Sequence, residues 1–402
     1  MNSKVSYYPL TKNELETIDF LKITSKRGVG KVIQAKNYVG VIQMKNGNQI
    51  QILPKIINSS INETIKIFLR MLRSMKDFPS KVFNDATLKV DRMNLYEIFI
   101  NMYIQEARML VKKGLRSNYI HVEDNLNFFK GKLLTSDHIK TNIVHKERFY
   151  ASYDEFVVNR PENRLIKSTL LKLQMISSSS ENIKEIRQLL VYFEMVEPSL
   201  EILKDFSMVI IDRNTKDYES LIIWSKVFLL NQSFSTFSGN TTAKALLFPM
   251  EKVFESYVAK YLKQSIVGSL WDFSTQDRAF FLFDEPQKFA LRPDIVLTLE
   301  KRKVILDTKW KALNNDPRQN YGISQSDMYQ MYAYSKRYGT AEIWLLYPEN
   351  EAIVDSSEIS FSSHYRDDEN NVRETYVRLF SVDLKNIDKS MNKLMALVNS
   401  AA

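Results

Sequence analysis

Two short runs rich in β-branched and aliphatic residues, Ile295-Val-Leu-Thr-Leu299 and Val304-Ile-Leu306, flank the charged stretch Glu300-Lys-Arg-Lys303. This pattern predicts a β-hairpin with Lys301 and Arg302 at its tip. In that register residue 294 falls opposite 309, and 296 opposite 307. Side chains alternate faces along a strand and directly paired residues point the same way. Asp294, Asp307 and Lys309 therefore share one face at one end of an otherwise apolar hairpin. Upstream, Leu247 to Gln264 reads as an amphipathic helix with Val253, Phe254, Tyr257, Val258, Tyr261 and Leu262 as its stripe. Glu255 borders that stripe, and Glu251 lies one turn earlier on the same side. Downstream, a polar loop from Asn314 to Ser326 leads into a helix from about Asp327, on which Gln330 and Tyr334 share a face. Ile343-Trp-Leu-Leu-Tyr347 reads as a buried strand stopped by Pro348, and a last amphipathic helix covers Lys385 to Val398.

The rest of the chain divides by the same signals. Residues 1 to about 57 read as β-rich, with Val39 to Pro54 alternating around Asn46-Gly47, a strong hairpin turn. Helical spacing begins at Asn62, which reads as an N-cap, and continues with Ile65, Phe68, Leu69 and Leu72. A second helix runs from Asn94 to Lys113 and is ended by Gly114. Leu115 to Arg148 is basic and partly extended. Further helices span Asn163 to Gln174, on past the break Ser177–Ser180 to Leu203, and Tyr218 to Leu230. Ser235 to Thr242 marks a boundary. The expected domains are thus a β-rich part at 1–60, a mainly helical part at 61–235, and an α/β part at 236–402.

Composition changes this picture little but narrows the chemistry. The chain has 402 residues, 44% hydrophobic and 26% charged, with a formal net charge of +9. That balance suits a globular protein with a polyanionic partner. No apolar run approaches the roughly 20 residues that span a bilayer. The first residues lack the apolar core of a signal peptide, and cysteine is absent. A cytoplasmic protein without a membrane partner is the expectation. Histidines 121, 138, 145 and 364 lack metal-site spacing. Gly28-Val-Gly30-Lys31 fails as a P-loop, because Ser25 stands at the first glycine position and Val32 follows the lysine. A glycine turn between strands is the simpler reading, so any nucleotide-driven step falls to another protein.

The hairpin cluster fits divalent metal chemistry. Mg²⁺ prefers oxygen ligands and is held by one or two carboxylates plus water and phosphate. Asp294 and Asp307 are the expected ligands, with the Thr308 carbonyl as a further one, and Mn²⁺ as a substitute ion. Glu255 is a candidate third acidic ligand, with Glu251 as its rival. Lys309 would orient or deprotonate the attacking water, or offset charge on the phosphate. For an isolated Asp-x-Lys triplet the better reading is a turn-capping Asp294 and an Asp307–Lys309 pair at an exposed strand end; Pro293-Asp294 in matching register and the Ile, Val and Leu on both sides favour catalysis.

With these pieces placed, the chain resembles the PD-(D/E)xK nucleases of the RecB-like kind, on Glu255, Pro293-Asp294, Asp307-Thr-Lys309 and Gln330-x-x-x-Tyr334. It is similar more widely, over most of 105 to 350, to the McrC family of nuclease subunits of McrBC modification-dependent restriction systems. That likeness rests on Leu110-Val-Lys-Lys-Gly-Leu115, Phe129-Lys-Gly-Lys-Leu133, Asn163-Arg-Leu-Ile-Lys-Ser-Thr-Leu170, the hairpin, and Met328-Tyr-Gln330. The resemblance implies an α+β multidomain protein ending in a PD-(D/E)xK core on a mixed sheet, in which Gln330 and Tyr334 position the DNA backbone. It also implies a partner, a McrB-like AAA+ GTPase hexamer that recognises methylcytosine and translocates, and double-stranded DNA as substrate for phage defence. Two other readings stay open at this point: a non-catalytic DNA-binding adaptor of an AAA+ motor, and an autonomous RecB-like nuclease.

Overall fold

The computed structural model describes residues 21–26, 30–35, 37–43, 49–79, 93–230, 244–353, 359–366 and 372–401. The Asn46-Gly47 turn, Gly28 and the 235–242 boundary lie outside the described residues. Strands β1 (Leu21–Lys26) and β2 (Gly30–Ala35) pair antiparallel, with Gly30 and Lys31 opening β2. β3 (Tyr38–Gln43) pairs antiparallel with β4 (Gln49–Ile52), as the alternation predicts. Helix α1 (Ile61–Leu72) starts two residues earlier than expected, because Ser60 rather than Asn62 accepts from the Glu63 backbone N–H at 3.2 Å. A serine three residues before a glutamate is the capping-box spacing. The chain folds as two compact units, the described residues of Met1–Phe78 with Ser238–Ala402, and those of Pro79–Phe237.

The second unit is built on α2 (Leu95–Lys113). Asn94 caps it by accepting from Glu97 N at 2.9 Å, and Gly114 ends it at φ +87°, where a side chain would be strained. Ile98, Phe99, Met102 and Tyr103 are wholly buried, and each contributes about 2 kcal/mol of apolar burial. In and just after the stretch read as partly extended, β5 (Asn118–Leu126), β6 (Lys132–Leu133) and β7 (Phe149–Val157) form a three-stranded antiparallel sheet, order β5-β7-β6, with α3 (Thr135–Thr141) between β6 and β7 in sequence. β5 lies in the stretch read as partly extended and is largely exposed; what the sequence does not show is its pairing with β7. Helices α4 (Pro161–Ile176), α5 (Ser180–Tyr192), α6 (Ile202–Met208) and α7 (Glu219–Leu230) complete the unit. The buried Glu97 carboxylate accepts from Ser177 Oγ at 2.7 Å, Ser178 N at 2.7 Å and Asn182 Nδ2 at 2.8 Å, tying α2 to the serine break. Asn163 donates from one amide to the carbonyls of Arg116 and Val158, at the two roots of the β5–β7 pair.

In the first unit β8 (Lys244–Pro249) pairs antiparallel with β3, which places β3 between β4 and β8. Leu247, read from sequence as the start of a helix, is therefore strand, and helix α8 (Met250–Ser265) begins only after Pro249. The β3 partner comes from a segment about two hundred residues away in sequence, which local pattern cannot reveal. A six-stranded mixed sheet follows. β9 (Asp272–Thr275) is one edge. The hairpin β10 (Phe281–Phe283) and β11 (Lys288–Ala290) lies outside this sheet. β12 (Ile295–Leu299), β13 (Arg302–Thr308), β14 (Glu342–Pro348), β15 (Ser360–Arg366) and β16 (Val372–Val382) complete the order β15-β16-β14-β13-β12-β9. β13–β14 and β14–β16 are parallel, the other pairs antiparallel. Helix α9 (Gln325–Tyr338) packs Met331, Tyr334 and Tyr338 against Val296, Ile305, Ile343 and Leu345. Helices α8 and α10 (Ile387–Ser400) pack on each other, and they touch β13 and β16 respectively. β13 and β14 sit mid-sheet, and every residue of β14 is buried.

The β12–β13 register differs from the expected one by two residues. Val296 pairs with Ile305, not with 307, and Leu299 with Arg302. The turn is Glu300-Lys301 alone, closed by Glu300 at φ +52°, and Arg302 already belongs to β13. An even shift leaves every side chain on its expected face. Continued one step, the pairing brings Asp294 level with Asp307. Among the described residues no helix is long and apolar enough to cross a membrane.

Gly40 is held at φ +141°, and a Cβ there would stand 1.9 Å from the Leu246 carbonyl oxygen across the β3–β8 pair. The obstacle is backbone, so the strands would have to part. Gly40→Ala is expected to destabilise the protein by about 2 kcal/mol or more, read as a lower urea midpoint; an unchanged midpoint would contradict this pairing.

Candidate active site

β13 carries its apolar run to Leu306 and then places Asp307 at the buried end of the strand, 1% exposed. A carboxylate there is desolvated, and its pKa rises to about 7, first through burial and then through the charge of Asp294. Lys309 stands two residues on, anchored by its backbone N–H on the Leu346 carbonyl at 2.9 Å. Its Nζ lies 2.5 Å from Asp307 Oδ2. That approach is an ion pair without hydrogen-bond alignment, so Asp307 Oδ2 is buried with no hydrogen-bond partner. Burial works against the lysine's charge, but the carboxylates of Asp307 and Asp294 outweigh it and raise its pKa.

Lys309 Nζ also donates to Gln330 Oε1 at 3.0 Å. Gln330 Nε2 donates to the Tyr334 hydroxyl at 2.7 Å, which donates in turn to the Arg292 carbonyl at 2.9 Å. The i, i+4 spacing on α9 thus forms a continuous chain from the lysine back to the residue before Pro293. Asp294 is fixed by Thr308, whose backbone N–H and Oγ1 donate to its Oδ2 at 2.8 and 2.6 Å. Burial raises the Asp294 pKa, while the Thr308 bonds and Lys309 oppose the rise. Thr308 serves here as a donor to Asp294 through its amide and hydroxyl.

Glu255 joins through a residue that sequence reasoning missed. Gln276, just past β9 and at φ +51°, donates from one amide nitrogen to Glu255 Oε1 at 2.7 Å and to Asp294 Oδ1 at 3.3 Å. Its backbone N–H donates to the Asp294 carbonyl at 3.0 Å. No local signal marks this glutamine, since it reaches the site only because β9 pairs with β12. Glu251, the rival, accepts from Asn37 Nδ2 at 3.3 Å, and its charge also raises the Asp294 pKa. The Glu255 pKa is pushed up to about 7 by burial and then by Asp294. Among the described residues no three acidic or histidine side chains are gathered tightly enough to hold an ion by themselves. Two desolvated carboxylates whose charges repel, one with an oxygen lacking a hydrogen bond, nevertheless fit a hard divalent ion that keeps waters in its shell.

The raised Glu255 pKa has a thermodynamic consequence with a definite sign. In the unfolded chain the group ionises near 4.5, but in the folded one near 7. Its charge therefore costs stability in full above the folded value and nothing below the unfolded one. Glu255→Gln is expected to stabilise the metal-free protein by about 1 kcal/mol at about pH 8, after discounting for partial exposure. The gain should vanish by about pH 4. Urea melts at both pH values check this, and a destabilised variant at the higher pH would refute the like-charge account.

The family model for the McrBC 5-methylcytosine restriction system component matches residues 33–348. No curated protein matches the chain. Among solved structures, the chain is similar to one in the "Refined half-complex from tetradecameric assembly of Thermococcus gammatolerans McrB AAA+ hexamers with bound McrC". It has 20% identity and a TM-score of 0.68 to that chain, over 98% of this chain and 90% of that one. A chain in the Thermococcus gammatolerans McrBC complex matches at 24% identity and a TM-score of 0.46, over 59% of this chain and 68% of that one. The first likeness extends the fold across nearly the whole molecule, and the family match covers most of its length, hairpin and cluster included. The chain belongs to the family of McrBC 5-methylcytosine restriction system components.

Proposed function

We propose that this chain is the Mg²⁺-dependent DNA endonuclease subunit of a McrBC-type restriction complex. The observation that carries the reading is the Asp294, Asp307 and Lys309 cluster at the end of β12–β13, joined to Gln330 and Tyr334 by hydrogen bonds and ion pairs. On this reading the C-terminal part is a PD-(D/E)xK core. Asp294 and Asp307 would hold the ion, with Glu255 and the Thr308 carbonyl completing its shell directly or through water; Mn²⁺ is the expected substitute. Bound there, the ion would supply Lewis-acid activation of water and stabilise the leaving oxygen.

The chain's own residues divide the remaining work. Lys309 has a raised pKa, so it remains an ammonium. That supports charge stabilisation at the scissile phosphate over proton abstraction. Gln330 gives the lysine a second partner besides Asp307 and, with Tyr334, borders the path of the DNA backbone. Thr308 and Gln276 keep Asp294 in place.

Among the described residues no P-loop strand–turn–helix occurs, and the structure that this fold matches over nearly its whole length is a complex of McrB AAA+ hexamers with bound McrC. A McrB-like AAA+ GTPase hexamer is accordingly the proposed partner, supplying methylcytosine recognition and translocation on double-stranded DNA.

Cleavage of methylated plasmid with Mg²⁺, partner and GTP tests this. Asp294→Ala, Asp307→Ala and Lys309→Ala are each expected to reduce cutting by about a hundredfold or more while still co-eluting with the partner. Folded variants that cut at the wild-type rate would remove the assignment. Digestion by the lone chain without GTP would favour the autonomous nuclease. Tyr334→Phe, which keeps the ring and removes the link to Arg292, is expected to cost about tenfold in rate; an unchanged rate would limit the tyrosine to packing.

A further inference from the structure

The hairpin β10–β11 stands immediately before the cluster: Ala290 ends β11, and Asp294 follows four residues later. Ala290, Leu291 and Arg292 line, with Gln330 and Tyr334, a recess of about 350 Å³. The hairpin is firmly seated. Arg337 on α9 grips Asp284 with both terminal nitrogens. Phe280 packs on Tyr338 at 4.6 Å, and Leu291 N donates to the Phe280 carbonyl at 2.9 Å. The helix that presents Gln330 and Tyr334 therefore also fixes the direction of the hairpin.

This rigid hairpin exposes apolar surface. Phe283 is 55% exposed and Phe289 72%. Phe283 pairs in register with Lys288, so strict alternation would send Phe289 to the opposite face. Instead Phe289 adopts φ +59°, a conformation rare for an aromatic residue, and the two rings meet at 5.9 Å in a T-shaped pair. Backbone strain is spent on bringing two solvated rings together, which folding alone does not reward. Exposed cations lie close in sequence, Lys288 on β11 and Arg292 at the recess. Asp284 is neutralised by Arg337, leaving Glu285 at the turn as the opposing charge. Aromatic rings between cations, on a stiff support beside a recess, form a platform for nucleic-acid bases.

We infer that the Phe283–Phe289 pair is a DNA-contact element that stacks on, or wedges between, bases next to the scissile phosphate at the Asp294, Asp307 and Lys309 cluster. The inference rests on the nuclease reading above for its substrate and deepens it by naming what grips the bases. Apolar wedges of this kind unstack a base step and bend the duplex, which would bring the scissile phosphate down onto the recess. Phe283→Ala/Phe289→Ala removes both rings at exposed positions and is expected to keep the wild-type thermal midpoint.

The test uses the full chain with its partner, on a short fluorescein-labelled, cytosine-methylated duplex followed by anisotropy, and on methylated plasmid for cutting. The double variant is expected to lose about 10- to 100-fold in duplex affinity, measured in the Asp307→Ala background, and comparably in cleavage. Phe283→Tyr/Phe289→Trp should restore both. If the alanine variant binds and cuts within twofold of wild type while Asp307→Ala alone is inactive, the hairpin proposal falls and the nuclease reading stands. If Asp307→Ala cuts normally, the nuclease reading falls, and affinity still judges the hairpin. Weakened co-elution with the partner at unchanged duplex affinity would make the rings a protein-binding surface and overturn the proposal.

Discussion

The Asp307–Lys309 ion pair is the constraint around which the first unit is organised. Taking a carboxylate out of water to 1% exposure costs several kcal/mol even after relaxation. The lysine offsets part of that cost, and the strands supply the rest. Val304, Ile305, Leu306, Ile343, Leu345 and Leu346 are all wholly buried, each contributing about 2 kcal/mol. The mid-sheet position of β13 is what secures this burial, since an edge strand would leave the carboxylate hydrated and its charge unremarkable.

Helix α9 is the second element of the frame. Ser324 caps its start by accepting from Asp327 N, and Gly339 ends it at φ +62°. Between those stops its inner face supplies Met331 and Tyr338 to the core, while Gln330 and Tyr334 reach toward the lysine. Arg337 adds the grip on Asp284. One rigid helix thus sets the lysine's amide partner and the hairpin orientation together, and binding constellations held on helices keep their geometry better than those held on loops.

The second unit follows a different principle. Its core is a bundle of Leu, Ile and aromatic side chains, with Trp224 stacked on Phe228 at 5.5 Å. Its buried carboxylates are met by donors, Asp205 by Arg164 and Glu162 by Arg160. Glu97 accepts from the serine break and from Asn182 through both carboxylate oxygens, and Asn163 clamps both roots of the exposed β5–β7 pair while accepting from Tyr218. Fully satisfied buried networks of this kind specify one arrangement of the parts they join.

Much of the candidate site was legible in the sequence, because its information is local. Strand alternation places Asp294, Asp307 and Lys309 on one face, and an error of two residues in register changes nothing, since the period of a strand is two. Helical spacing likewise sets Gln330 and Tyr334 side by side, and the caps at Asn94 and Gly114 stand where the residue types require them. What the sequence concealed depends on pairings between distant segments. Gln276 enters the site only because β9 lies beside β12. Glu255 rather than Glu251 meets that glutamine, while the charge of Glu251 still reaches Asp294. Leu247 is strand rather than helix because β3 awaits a partner across two hundred residues, and β5 finds its sheet only in its pairing with β7. Local periodicity determined which side chains could share a face; the order of strands in the sheets decided which of them meet.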